Sequence, residues 1–284
     1  MTVKSIVITG CSTGFGRALA LHLARRGWRV LATVRQEADA ASLLTEAMAH
    51  GFRENLTPVI CDITNEAQVK ELAKKVTAAT PRLEALVNNA GTAFAAPLEL
   101  LPLSEFRAQL ELNVVAQLGV TQALLPLLKP AQGMIINVSS IGGRIALPIT
   151  GAYSASKFAL EALSDSLRIE LAPFGVRVVV IEPGSSPTAI WETGRQRARQ
   201  SLAEREGEME AYAPLIARFE KAALKRAAQG FPPELFAETV EKILNDPNPK
   251  TRYPLPADVR RRILLRRLLS DGWWDKQIRK TLKW

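Results

Sequence analysis

The chain has 284 residues, 47% apolar and 23% charged, which fits a globular fold and excludes disorder, collagen-like repeats or coiled coil as whole-chain readings. The net charge of +9 belongs to one end: residues 250–284 hold 11 Lys and Arg against 3 Asp and Glu, so the near-neutral body does not read as a nucleic-acid-binding domain. Two cysteines and two histidines exclude a disulfide framework and a Cys- or His-rich metal site, and leave acid–base chemistry to Tyr, Lys, Asp or Glu.

Met1 leads directly into the strand-like run Val3–Thr9, without the pattern of a secretory leader. No apolar run approaches the ~18–20 residues of a membrane span, so a cytoplasmic protein is expected. Short apolar strands follow at Ser5–Thr9, Arg29–Val34, Thr57–Cys61, Ala85–Asn88, Met134–Val138 and Arg177–Ile181. Helical stretches fall between them, among them Gly16–Arg26, Glu66–Ala79, Ser104–Leu128 (with Ser104 as its cap) and Ser154–Pro173. Near-continuous apolar strands suit a parallel sheet covered on both faces, and the alternation predicts a doubly wound α/β fold. Beyond Gly184 the pattern changes. Thr188–Gly230 is charged and helix-prone, Pro232–Asp246 reads as a helix, and Thr251–Leu255 as a late strand. We expect a catalytic domain over residues 1–256, with a variable region at about 185–230, and a basic extension over 257–284.

Gly10, Ser12, Thr13, Gly14, Phe15 and Gly16 follow the first strand and open the first helix. Glycines there let backbone approach a pyrophosphate, and the helix N-terminus offers unpaired N–H groups. The alternative is a Gly-rich turn with no ligand. The second strand runs into Arg35 rather than a carboxylate, which favours the 2′-phosphate of NADP(H) over the ribose hydroxyl of NAD, with Ser12 as an added donor. Arg35 facing solvent is the alternative. Asp62, followed by Ile63, ends the third strand where a carboxylate can accept from an adenine amino group; a helix N-cap is its other reading.

Of the three tyrosines, only Tyr153 has a lysine, Lys157, four residues on and hence on the same helix face; Tyr212 and Tyr253 have Ile216 and Ala257. An ammonium beside a phenol lowers its pKa from ~10, making Tyr153 a proton donor and acceptor. Ser140 follows the fifth strand, Asn89, Ala90 and Gly91 follow the fourth, and Pro183 and Gly184 follow the sixth, where parallel sheets bind ligands. Asn113 lies mid-helix, where asparagine is a poor helix former.

Thr9-Gly-x-x-x-Gly14-x-Gly16, Asn88-Asn-Ala-Gly91, Asn113, Ser140, Tyr153-x-x-x-Lys157 and Pro183-Gly-x-x-x-Thr188 together resemble the short-chain dehydrogenase/reductase family over residues 3–188. The loop wording, with Ala32-Thr-Val-Arg35, looks most like its 17β-hydroxysteroid and retinol dehydrogenase-like branch. The resemblance implies a Rossmann fold with a C-terminal helical extension. It makes Tyr153 the proton carrier, and Lys157 the group that lowers its pKa and holds the nicotinamide ribose. Ser140 becomes the hydrogen-bond partner of the substrate oxygen, and Asn113 the anchor of a relay water. Thr188 holds the carboxamide and Asn89 lines the cofactor cleft. The glycine often found four residues after the asparagine is absent here; Gly119 is the expected substitute. Pro187 is expected to stiffen the loop before Thr188.

Ile190, Trp191, Met209, Tyr212, Leu215, Ile216 and Phe219, with Phe94, Leu147 and Ile149, either line an apolar pocket or close the core. A bulky hydrophobic ketone, aldehyde or alcohol is the expected substrate. In the tail Arg and Leu interleave without a clean amphipathic face, so packing against the body is expected over contact with anionic lipid. Stretches 104–128 and 154–173 resemble the subunit-pairing helices of the family, implying a homodimer. The rival reading is an NADP(H)-sensing regulatory or interaction protein on the same fold.

Overall fold

A computed structural model describes residues 3–187 and 190–284, with the side chains of residues 191, 204 and 206 left aside. The strands are β1 Ser5–Ile8, β2 Arg29–Val34, β3 Leu56–Ile60, β4 Ala85–Asn88, β5 Met134–Val138, β6 Arg177–Pro183 and β7 Arg252–Leu255. They form one parallel sheet in the order β3-β2-β1-β4-β5-β6-β7. The strand order reverses between β1 and β4, opening a crevice at their carboxyl ends.

Alternation along each strand splits the core in two. Ile6, Ile8, Val30, Ala32, Ile136 and Ile181 face one layer. Their neighbours Val7, Leu31, Leu86, Ile135 and Val178 face the other. The first layer is closed by α1 Gly14–Arg25, α2 Glu37–Ala49 and α10 Pro233–Asn245, with Phe236 fully buried against Phe15. Helix α2 is absent from the sequence-based expectations. Its apolar positions are mostly alanine, with Leu43 the one large side chain it buries.

The second layer is closed by α3 Glu66–Ala79 and by a long helix made of α4 Leu103–Leu110, a π turn at Glu111–Val115 and α5 Ala116–Ala131. This 29-residue helix is long and apolar enough to cross a membrane by length and composition, which corrects the expectation that no such run exists. Val120, Leu124 and Leu128 are nonetheless fully buried against the sheet. The helix starts at Leu103 with Pro102 at its cap, so Ser104 is inside the first turn rather than capping it. Proline has no N–H to leave orphaned and its fixed φ suits this entry.

Helix α6 Gly151–Glu170 carries the Tyr–Lys pair. Buried Asn88 donates to Thr121 Oγ1 and Asn137 Oδ1, both at 2.9 Å, and Asn137 donates to Ser164 Oγ at 2.8 Å. This chain locks α5 and α6 to the central strands beneath the site.

After β6 come α7 Ile190–Ser201, the short α8 Glu206–Met209 and α9 Ala213–Ala228. The basic extension folds as α11 Asp258–Leu268 and α12 Asp271–Leu282. It packs on the body through buried Val259, Ile263 and Leu282. An apolar stripe of three residues four apart, Trp274, Ile278 and Leu282, faces inward, correcting for α12 the reading of the tail as lacking an amphipathic face.

Candidate active site

The loop between β1 and α1 is held from three sides. Gly10 N–H donates to Thr33 Oγ1 at 3.1 Å, and Cys11 N–H to the Thr33 carbonyl at 2.8 Å. Asn89 Nδ2 donates to the carbonyls of Thr9 and Gly10 at 2.9 and 3.0 Å, while Thr9 Oγ1 accepts from the N–H groups of Asn89 and Ala90. Gly10 and Gly14 have φ of 71° and 57°, in the left-handed region that favours glycine. A Cβ on Gly16 would lie 2.2 Å from the Gly10 carbonyl oxygen, so the helix meets the loop without space for a side chain. Thr13 caps α1 without a side-chain hydrogen bond, leaving the first-turn N–H groups to a ligand. This cradle fits a dinucleotide pyrophosphate. Ser12 is half-buried and Thr13 exposed on it.

Phe15 contributes only its backbone to the loop. Its ring stacks on Phe231 and Phe236 at centroid distances of 5.4 and 4.6 Å, so the side chain packs against the core and the expected cofactor contact falls to its main chain. Arg35 is exposed at the end of β2 and makes no ion pair among the described residues. Asp62 Oδ1 accepts from Thr64 N–H and Oγ1 at 3.0 and 2.8 Å, a local turn. The cap of α3 is Asn65, which accepts from Ala67 and Gln68, so the N-cap reading of Asp62 does not hold. The Ile63 side chain is buried among Val59, Val69 and Leu72.

Ser140 follows β5 and caps a 3-10 turn, its Oγ accepting from Gly142 N–H at 3.0 Å and donating weakly to the Pro183 carbonyl at 3.5 Å. Tyr153 reaches it from α6: the two side chains share a hydrogen bond that favours the phenolate. Burial is the larger effect and pushes the Tyr153 pKa up, against the sequence expectation of a lysine-lowered phenol. Lys157 Nζ lies 5.9 Å from the Tyr153 ring centroid and donates to the Val138 carbonyl at 2.9 Å. Burial lowers the Lys157 pKa to about 8, opposed by the carboxylate of Glu161 one turn on. Arg252 on β7 pairs with Glu161 at 2.9 Å and Asp165 at 2.7 Å, and lies 3.6 Å from buried Glu182, which Arg144 also meets at 2.7 Å.

Asn113 occupies the π turn, a distortion frequent at functional sites, and is fully buried. Its Oδ1 accepts from Thr92 N–H at 2.8 Å, and its Nδ2 donates to the Thr92 carbonyl and Ser156 Oγ, both at 2.9 Å. Both N–H groups are therefore engaged in fixing the loop after β4 against α6. Gly91 lies between the two polar groups: a Cβ there would be 3.2 Å from Asn113 Oδ1 and 3.7 Å from Lys157 Nζ. Four residues after Asn113 stands Gln117, whose Nε2 donates to the Ala90 carbonyl at 2.7 Å. Gly119 has open space around it and replaces nothing, because a side chain there would touch no neighbour. Gly184 N–H donates to the Leu255 carbonyl at 2.7 Å, and a Cβ on Gly184 would strike Val259 at 2.8 Å, coupling this loop to α11. Thr188 lies outside the described residues. Burial holds the thiols of Cys11 and Cys61 well up, so neither is a thiolate nucleophile.

Ser140 and Tyr153 open onto a cavity of about 430 Å³. Leu147, Ile149, Ile216 and Phe219 line it as predicted; Leu215 and Tyr212 pack behind Ile149 and Leu282, and Phe94 and Met209 pack with Leu100, Ala198 and Leu202 in a separate cluster that Tyr212 also touches. The Trp191 side chain lies outside the described residues. The sequence reading missed the far wall, made by Trp274, Ile278 and Leu282 of α12, although their spacing of four was the available signal.

The crevice, its glycine cradle and the Ser–Tyr–Lys group define a Rossmann-fold oxidoreductase. The short chain dehydrogenase family profile matches residues 4–199, and the chain belongs to that family. It is 35% identical to "Uncharacterized oxidoreductase YusZ" of Bacillus subtilis (strain 168) over 99% of both chains. It is 43% identical to "Retinol dehydrogenase 5" of Mus musculus over 65% of this chain and 57% of that protein. The structure resembles a short-chain dehydrogenase from Streptomyces avermitilis at 27% identity and TM-score 0.75, covering 99% of each chain. It also resembles a Pseudomonas aeruginosa RhlG/NADP complex (28%, TM-score 0.70, 89% of this chain and 94% of that one). A third likeness is to a Brucella melitensis 3-ketoacyl-(acyl-carrier-protein) reductase complexed with NADH (25%, TM-score 0.71, 89% and 96%).

Proposed function

We propose that this protein interconverts a hydrophobic ketone or aldehyde and its alcohol with NADP(H). The observation that carries the reading is the placement of Ser140 and Tyr153 together in the wall of one apolar cavity, with Lys157 buried behind them. The nicotinamide, when bound, supplies or accepts the hydride. The protein positions the substrate and manages the proton. Ser140 donates to the substrate oxygen and stabilises charge developing on it. Tyr153 gives its hydroxyl proton to that oxygen in reduction and takes it back in oxidation. Lys157 supports the phenolate electrostatically, and Asn113 in the π turn would anchor the onward relay. The cradle from Gly10 to Gly16, with Asn89, Ala90, Gly91, Asp62 and the main chain of Ile63, would hold the dinucleotide, and Arg35 its 2′-phosphate.

Exposed Val115, Phe158 and Ile169 on the long helix and α6 support a homodimer formed through these helices. The test of the central reading is Tyr153→Phe assayed against steroid, retinoid and aryl carbonyls. We expect turnover to fall by about 10²–10⁴-fold with cofactor affinity retained. Undiminished turnover would leave the phenol without a role.

A further inference from the structure

The acidic and basic side chains around the cavity are unevenly matched. Glu192 and Glu220 both face Arg195, which pairs closely with the first and lies 3.9 Å from the second. Two further arginines line the same cavity, Arg226 on α9 and Arg262 on α11. Among the described residues Arg226 has no acidic partner, and Arg262 has only Asp258, 3.1 Å away on its own exposed helix surface. The two guanidinium groups are near enough that Arg262, after burial, helps push the Arg226 pKa down. Leu224 and Leu265 line the cavity beside them and are more than half exposed, so this is its open rim. Two guanidinium groups lining the mouth of one apolar cavity suit the oxygens of a carboxylate or phosphate, and an anion there relieves their mutual repulsion.

We infer that Arg226 and Arg262 form an anion subsite, and that the substrate is an apolar molecule with its carbonyl or hydroxyl at one end and an anionic oxygen group at the other. The inference rests on the oxidoreductase reading for its reacting end, but its binding test does not. Titration calorimetry on the full chain with decanoate and 1-decanol, with no dinucleotide added, reads the subsite without turnover, because neither probe can exchange a hydride without the cofactor.

The expected result is that decanoate binds about tenfold tighter than 1-decanol. Arg226→Gln and Arg262→Gln should each weaken decanoate about fivefold and leave 1-decanol unchanged, which also shows the variants to be folded. Added salt should shrink the preference. Equal affinity of the two probes, no binding of decanoate, or equal loss of both in the variants would overturn the subsite. In the paired assay, 10-oxodecanoate should surpass decanal in kcat/KM through a lower KM. Decanoate preference without turnover of either aldehyde would keep the subsite and discard the redox reading.

Discussion

Tyr153 and Lys157 are both nearly inaccessible to solvent, and burial acts on them in opposite senses. The neutral phenol and the neutral amine are both favoured, so the pair needs help to stay useful. Ser140 provides it for Tyr153 and Glu161 for Lys157. Because the Lys157 pKa is lowered to about 8, its charge is present below that pH and lost above it. Reductive kcat/KM should therefore fall as pH rises through about 8. Glu161→Gln, which removes the opposing carboxylate, should move that limb to lower pH in a pH–rate profile. The linkage has a stability side too. Between about 8 and the unfolded value of ~10.4 the unfolded chain binds more protons, so this group adds stability as pH rises across that window. Arg35 belongs to the same scale. Its exposed guanidinium predicts that Arg35→Ala weakens NADPH by about tenfold and leaves NADH nearly unchanged in a fluorescence titration. Equal change in both would remove the 2′-phosphate argument.

Among the elements, the loop between β1 and α1 is the least forgiving. A methyl on Gly16 meets backbone at 2.2 Å and the Asn89 side-chain amide at 2.5 Å, which hydrogen bonds to the Thr9 and Gly10 carbonyls hold in place. Gly16→Ala should cost about 1–3 kcal/mol in urea denaturation and weaken either dinucleotide markedly. The elements that sequence made legible are those with a strong period or a chemical signature. The strands lie close to their expected spans, the central ones because parallel strands buried on both faces read as unbroken apolar runs. Helix α2 was obscured by its alanines, which suit a helix but leave almost no period to see. The π turn was not legible either. Only Asn113, out of place in a helix, hinted at it, and the wider turn follows from tertiary bonds to Thr92 and Ser156 that no local pattern encodes.

At the scale of the whole molecule the chemistry and the recognition come from different parts of the chain. The residues proposed to handle the proton arrive in order from Asn113 to Lys157, and their fixed spacing made them readable. The substrate cavity is assembled from α6, α9, α11 and α12, which meet only after the fold is complete. The tail is dominated by its surplus of arginines, while Trp274 and Ile278 line the cavity. Replacing both by alanine should raise KM for a hydrophobic carbonyl by about fivefold or more, with NADPH affinity unaffected, in steady-state assays. Unchanged KM would mean the substrate binds elsewhere.

The far wall of that cavity is made by the last turns of the chain, with Trp284 stacked on Tyr212 at a centroid distance of 5.9 Å. If that cavity takes the substrate, a homologous C-terminal segment grafted after Leu255 should change the ligand preference while leaving Ser140, Tyr153 and Lys157 in place. Selection, natural or in the laboratory, can retune what this scaffold accepts by editing a stretch that touches none of its reactive groups.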